Sequence, residues 1–152
     1  MTVPKTLGTR VPQKSALPWP LVVFASGLFL AVGVLEAWGL PAVLRAATGS
    51  GETLPELWRL AGIGALAANA VNKLPAYLAL EPVADSPVRL AALLIGVGAG
   101  PLVTPWASLA TLLWHERLRA VGVEVPWGRY VLAGLVAAPL IVAAAVVPLA
   151  LR

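Results

Sequence analysis

Two asparagines, a lysine and a proline stand together in Ala68-Asn69-Ala70-Val71-Asn72-Lys73-Leu74-Pro75, in the middle of an otherwise apolar run. Amide carbonyl oxygens suit a small cation such as Na⁺, amide N–H groups suit an oxyanion, and an ammonium supplies a compact positive charge. Asn69 and Asn72 are three residues apart and can face one cavity. A second polar set, Thr104, Ser108 and Thr111, follows a run broken by Gly96, Gly98, Gly100, Pro101 and Pro105. With Thr104 as an N-cap and Pro105 in the first helical position, the three hydroxyls share one face of the helix that follows. That face, with the free N–H groups of the first turn, suits a small oxyanion or a neutral hydroxylated solute. The candidate binding residues are therefore Asn69, Asn72, Lys73, Gly98, Gly100, Thr104, Ser108 and Thr111, with Pro75, Pro101 and Pro105 as structural breaks. The alternative is that Ser108 and Thr111 bond within their own helix or to a neighbour, and that Lys73 lines a wet vestibule.

The medium around these groups follows from composition. Of 152 residues, 59% are hydrophobic and 12% charged, with a mean hydropathy of +0.86. A soluble domain is about 45–50% apolar and about 25% charged, and this chain has too much apolar surface to hide from water. It reads as an all-α integral membrane protein. There is no cysteine and a single histidine, which exclude a disulfide framework and a thiolate metal centre. The formal charge of +4 comes from residues scattered at segment ends, so it reads as a topology signal and not as a nucleic-acid surface.

Four elements must carry the polar groups. Residues 1–16 read as a flexible cytoplasmic lead and 17–152 as the membrane domain; the first apolar run is too long for a signal peptide. A first span is expected over about 17–40, with Trp19 and Trp38 at its ends and Glu36 snorkelling to water. Residues 41–54 read as a loop. From about 57 to 83 the polar centre at 68–75 argues against a lipid-facing helix, and splitting the run there leaves two arms of about ten to twelve residues, each too short to cross. This reads as a re-entrant hairpin with its polar tip at mid-membrane; the alternative is one kinked span. A discontinuous span is expected over 88–114, broken near 98–105, and a last span over 127–149 with Trp127 and Tyr130 at its entry. His115 and Glu116 read as solvated residues at the cytoplasmic edge.

With the N-terminus inside, Lys5, Arg10, Lys14, Arg117, Arg119 and Arg129 are cytoplasmic and Arg45, Arg59, Arg89 and Arg152 external, a bias of six to four. Two broken elements in succession are the pattern of a secondary transporter, in which unwound carbonyls and half-helix N-termini form the site.

The segments LPWPLVVFASGLFL, ANAVNKLPAYLAL and GAGPLVTPWASLATLLWHERLR resemble the second half of the ion transporter superfamily, over about Pro18 to Leu149. That group includes arsenite and antimonite efflux permeases, sodium:dicarboxylate symporters and sodium/proton antiporters, and the arsenical-pump branch resembles the chain most. The resemblance implies two inverted repeats, each with a hairpin and a broken helix. It further implies that Asn69, Asn72 and Pro75 form a hairpin tip, that Gly98 to Thr104 is unwound, and that Ser108 lies on the second half-helix. Two positions depart from the family pattern: Lys73 stands where a second amide is common, and Gly98 where Asn or Asp is common. Each departure removes an oxygen ligand, and the ammonium of Lys73 is expected to fill the space of a coupling Na⁺.

The expected function is half of a transporter for an inorganic anion or metalloid in the inner membrane, with Na⁺ or H⁺ as coupling ion, no cofactor and no enzymatic step. Sodium-coupled dicarboxylate or sulfate transport, cation/proton antiport, and a non-transporting subunit or truncated product are the alternatives. No counterpart of the first repeat is visible, so a second half-transporter or an opposed homodimer is the expected partner, beside the bilayer and a small inorganic or carboxylate anion.

Overall fold

Glycines and prolines decide where the helices of this chain stop. The computed structural model describes residues 19–151, so the lead at 1–16, with Lys5, Arg10 and Lys14, the side chain of Trp19, and Arg152 lie outside the described residues. Among those described there are seven α-helices and no strand. Helix α1 runs Trp19–Ala37 and ends at Gly39, whose φ of 92° suits a residue without Cβ. Pro41 then sits in the first turn of α2, Leu40–Thr48. The segment expected as a loop over 41–54 is therefore partly helical. The α1 axis bends by 80° where it meets α2, and the pair is apolar enough for one span only if it counts as a broken one.

Helix α3, Leu54–Val71, begins with Thr53 as N-cap and Pro55 in the first turn. The Glu56 carboxylate accepts from the Thr53 hydroxyl at 2.6 Å, the Thr53 N–H at 3.4 Å and the Gly51 N–H at 3.1 Å. The chain breaks at Asn72 and resumes as α4, Lys73–Leu80, followed by a 3-10 turn at Glu81–Val83. The first arm, at 18 residues, is longer than the ten to twelve expected, because α3 starts at Leu54 and continues through Asn69 to Val71 before it breaks at Asn72. Pro75 falls in the first turn of α4, where its missing N–H leaves no helical carbonyl unpaired.

Helix α5 runs Pro87–Ala99, capped by Ser86, whose hydroxyl accepts the Arg89 N–H at 3.2 Å. Two 3-10 turns, Gly100–Leu102 and Pro105–Ala107, separate it from α6, Leu109–Ala120. The discontinuous element is thus present, but its break extends to Ser108, three residues past the expected end. Helix α7, Trp127–Ala150, alone is long and apolar enough among the described residues to cross a membrane unaided.

Close approach between backbones sets the packing. A Cβ on Gly96 would strike the Ala61 carbonyl, and one on Gly100 would lie 2.7 Å from the Ala65 backbone. The partner numbers rise together, so α3 and α5 run parallel and the chain between them must return. That return is α4. Leu60, Ala68, Ala76, Leu80, Leu93 and Val97 bury the hairpin against α5. On the other side α7 runs antiparallel, with Val142 and Val146 packed on Leu57, Ala61 and Ala92. No residue of α6 is buried.

One side chain closes the base of the hairpin. Arg89 is 1% exposed and donates to the carbonyls of Gly49 at 2.7 Å, Gly51 at 2.8 Å and Val83 at 3.1 Å. Its Nε lies 3.1 Å from the Asp85 carboxylate, a charge contact without the alignment of a hydrogen bond. Arg89, expected as an external topology charge, is instead the cross-tie between the loop before α3 and the end of α4.

Two predictions follow from the base. Arg89→Met leaves three carbonyls unpaired and should cost about 3 kcal/mol or more, read as a lowered unfolding midpoint in detergent, with Arg89→Lys falling between. The Glu56 carboxyl is held below its ordinary range, chiefly by the Thr53 hydroxyl and then by the backbone N–H groups of Gly51 and Thr53. A depressed carboxylate stabilises the fold above its ordinary pKa and loses that contribution as pH falls through the lower value. Acidification should therefore lower the protection of the Gly51 and Thr53 amides, read as exchange relative to the intrinsic rate at each pH, and Glu56→Gln should remove that pH dependence.

A clasp between two helix breaks

Both breaks arise where the local sequence cannot continue a helix, and each strands backbone groups that need partners. At the end of α3, Asn72 takes φ 90° and ψ 150°, a region that strains any residue with a side chain. At the end of α5, Gly100-Pro101 and Thr104-Pro105 turn the chain out of α geometry. Because α3 and α5 are parallel and in contact, the two breaks meet.

Asn69 joins them. Its Nδ2 donates to the Gly100 carbonyl at 2.7 Å and to the Ala65 carbonyl at 2.8 Å. Its Oδ1 accepts the Thr104 N–H at 3.0 Å and the Thr104 hydroxyl at 2.7 Å. One amide therefore serves a carbonyl just past the end of α5 and both donors of Thr104 at the start of the second 3-10 turn. The Trp106 indole N–H donates to the Asn69 carbonyl at 2.7 Å, which the break has deprived of its helical donor. The Asn72 Nδ2 donates to the Trp106 carbonyl at 3.1 Å, and its Oδ1 receives the Leu74 N–H at 3.4 Å. Tyr130 on α7 reaches the Pro101 carbonyl at 3.2 Å.

The structure brings together Asn69, Asn72, Gly100 and Thr104, with Pro75 and Pro101 buried beneath them. It does not bring the other candidates into the same set. Gly98 is exposed on the α5 surface. Lys73, the first residue of α4, is exposed and makes no ion pair among the described residues; a cation there opposes the helix dipole. Thr104, Ser108 and Thr111 do not share a helical face, since Thr104 and Ser108 are extended and only a 3-10 turn lies between them. Ser108 caps α6 as a buried residue without a side-chain bond to that helix, and Thr111 is half-buried beside Trp114 and Tyr130. The N-cap role expected of Thr104 thus applies to the short turn, and Pro105 starts that turn and not α6.

Three bonding roles are not expected from the sequence: those of Trp106 and Tyr130 at the clasp and of Arg89 at the hairpin base. For Trp106 the signal was present, since an indole inside a break has an N–H that needs an acceptor. His115 is also more than a solvated edge residue, because its ring stacks on Trp127 at 3.9 Å and its Nε2 lies 3.2 Å from the Val125 carbonyl.

Beside the clasp lies a cavity of about 320 Å³, walled by Gly62, Ala65, Leu66, Val103, Leu135, Ala138, Pro139 and Val142, with Asn69 and Gly100 at its polar edge. A small solute there would meet a few directional polar groups in an otherwise apolar wall.

The strain at Asn72 gives a test. Asn72→Gly relieves about 1–3 kcal/mol of backbone strain while losing the bond to Trp106; Asn72→Ala loses the bond and keeps the strain. Thermal unfolding in detergent should rank the parent and Asn72→Gly above Asn72→Ala.

Comparison with known proteins identifies a family. Residues 4–151 match the family described as ArsB, arsenical pump membrane protein. The arsenical pump membrane protein of Yersinia enterocolitica is 33% identical over 133 residues, which cover 78% of this chain and 30% of that relative. Those of Escherichia coli and Shigella flexneri are each 32% identical over 133 residues with the same coverage. The chain thus spans about 30% of the length of the curated relatives it matches. No solved structure matches it. With nearly every residue inside the family match and the two breaks as its polar centre, this chain is a membrane protein that belongs to the arsenical pump membrane protein family.

Proposed function

We propose that this chain forms the carboxy-terminal half of a secondary transporter that moves an inorganic anion or metalloid, such as arsenite or antimonite, across the inner membrane. The observation that carries the reading is the clasp: two helix breaks, from a returning hairpin and a discontinuous helix, meet at Asn69. A membrane protein tolerates unwound backbone away from water only where protein or a wet cavity satisfies it, and transporters use that backbone as a binding site. The names of the relatives support an arsenical substrate.

In this reading α1, the α5–α6 pair and α7 are the three spans, and α3–α4 is a re-entrant hairpin with its tip at mid-membrane. The N-terminus is cytoplasmic. Arg89, tied up by backbone carbonyls, is not a solvated external charge, which favours that orientation. Transport proceeds by alternating access with no covalent step and no cofactor. A second half-transporter, or an opposed copy of this chain, completes the site.

Asn69 and Thr104 recognise a hydroxylated solute by exchanging their mutual bonds for bonds to it, and Asn72 by releasing the Trp106 carbonyl. Lys73 supplies the one cation at the hairpin tip and stands in for a coupling Na⁺, which leaves H⁺ as the coupling ion. A non-transporting subunit has no need of an ammonium at the N-terminus of α4, where the dipole opposes it.

Arsenite efflux from cells lacking their own permease tests the reading, with the chain expressed alone and with a second half-transporter. Efflux that falls about tenfold or more in Asn69→Ala at unchanged membrane abundance is expected. No efflux in either configuration, from protein that is folded and inserted, would overturn it. Lys73→Asn should make transport sodium-dependent, and unchanged ion dependence would remove the proposed role of the ammonium.

A further inference from the structure

A second feature runs along α6, from the clasp to the charged end of that helix. Leu112, His115 and Arg119 are spaced three and four apart, on one face of α6. Around Leu112 the face borders an apolar groove of about 660 Å³, closed on the other side by Trp127, Val131 and Leu135 of α7. Around His115 and Arg119 it borders a polar cleft of about 360 Å³ that also contains Glu124. Trp127 walls both spaces. Both volumes lie in the range of about 300–1,000 Å³ found for small-molecule sites. The seam therefore changes from hydrocarbon-like to charged across a single indole, the side chain that favours the headgroup level of a bilayer.

We infer that the α6–α7 seam is a binding site for one zwitterionic aminophospholipid, with the acyl chain in the apolar groove and the headgroup in the cleft. The charges decide the headgroup. Arg119 has only a loose, exposed ion pair with Glu116 at 3.8 Å, so little is lost when its guanidinium turns to a phosphate. Glu124 makes no ion pair among the described residues and can accept hydrogen bonds from a primary ammonium. A phosphoglycerol headgroup offers Glu124 only neutral hydroxyl donors and no positive charge, and a quaternary choline has no N–H for Glu124. His115, held by its stack on Trp127 and its contact with the Val125 carbonyl, fixes the indole between the two spaces.

The far end of the groove is formed by Pro105 and Trp106. Trp106 is the residue whose N–H holds the Asn69 carbonyl, so an acyl chain in the groove packs directly against the clasp. The lipid site needs only that the chain lies in a membrane, and it stands whether or not the chain transports arsenite.

The test uses the full chain purified in mild detergent and titrated with phosphatidylethanolamine, phosphatidylglycerol, phosphatidylcholine or inorganic phosphate. Native mass spectrometry and the unfolding midpoint are the readouts. One phosphatidylethanolamine should be retained, with the other two lipids bound about tenfold more weakly, as expected for loss of one charged hydrogen bond. Glu124→Gln should erase the difference between phosphatidylethanolamine and phosphatidylglycerol. Arg119→Gln should weaken both, and Arg45→Gln, distant from the seam, should change neither. Each altered side chain is exposed, and circular dichroism checks that the variants fold. Equal binding of the three lipids, or a preference unchanged in Glu124→Gln, would overturn the site as annular lipid only. Stabilisation by phosphate alone equal to that by lipid would overturn it as an adventitious ion only. Displacement of the lipid on co-expression with a second half-transporter would show that protein, and not lipid, fills the groove.

Discussion

A helix that ends inside a fold leaves carbonyls and N–H groups that need partners. In this chain the amide of Asn69 meets that demand on both sides of one break. It receives the Thr104 N–H and hydroxyl and gives its own hydrogens to the Gly100 and Ala65 carbonyls. An amide can do this because it carries both donors and an acceptor; a carboxylate, a hydroxyl or an ammonium each lacks part of the set. Trp106 and Asn72 extend the same logic, each covering a group that a break has stranded.

The clasp requires parallel helices in close contact, and the small residues provide that. Between lipid-exposed helices there is little hydrophobic driving force, so close packing and internal polar bonds must supply the cohesion. Gly96 against Ala61, Gly100 against Ala65 and Gly134 against Leu102 bring backbones near enough to lock. Without the first two contacts Asn69 would not reach the second break. Arg89 closes the opposite end by binding three carbonyls across two connections. The hairpin is thus fixed at tip and base, while α6 has no buried residue.

The class of protein and the place of its polar centre were readable from the chain itself. Composition points to a membrane, and an Asn-Lys-Pro cluster inside an apolar run points to a break there. What local sequence does not specify is the partner of each stranded group. Arg89 reads locally as an external topology charge and Trp106 carries no local sign of its partner, because their acceptors are 38 and 37 residues away in sequence. The restart of α6 was misplaced for a related reason. Thr104-Pro105 carries a good helix-start signal, yet the Thr104 hydroxyl is taken by Asn69 and only one 3-10 turn forms before Ser108 extends again. Helix α2 was missed because Pro41 and the glycines after it resemble loop punctuation, although proline is favoured in a first turn.

The bond from the Thr104 N–H to Asn69 is the point on which both breaks depend, and hydrogen–deuterium exchange reads it directly. Thr104 lies outside every α-helix, so its amide has no helical acceptor to protect it. In the parent that amide should exchange slowly, and in Asn69→Leu, which keeps the volume and removes the acceptor, about tenfold or more faster. Equal exchange in the two proteins, both folded and in the same lipid, would contradict the clasp.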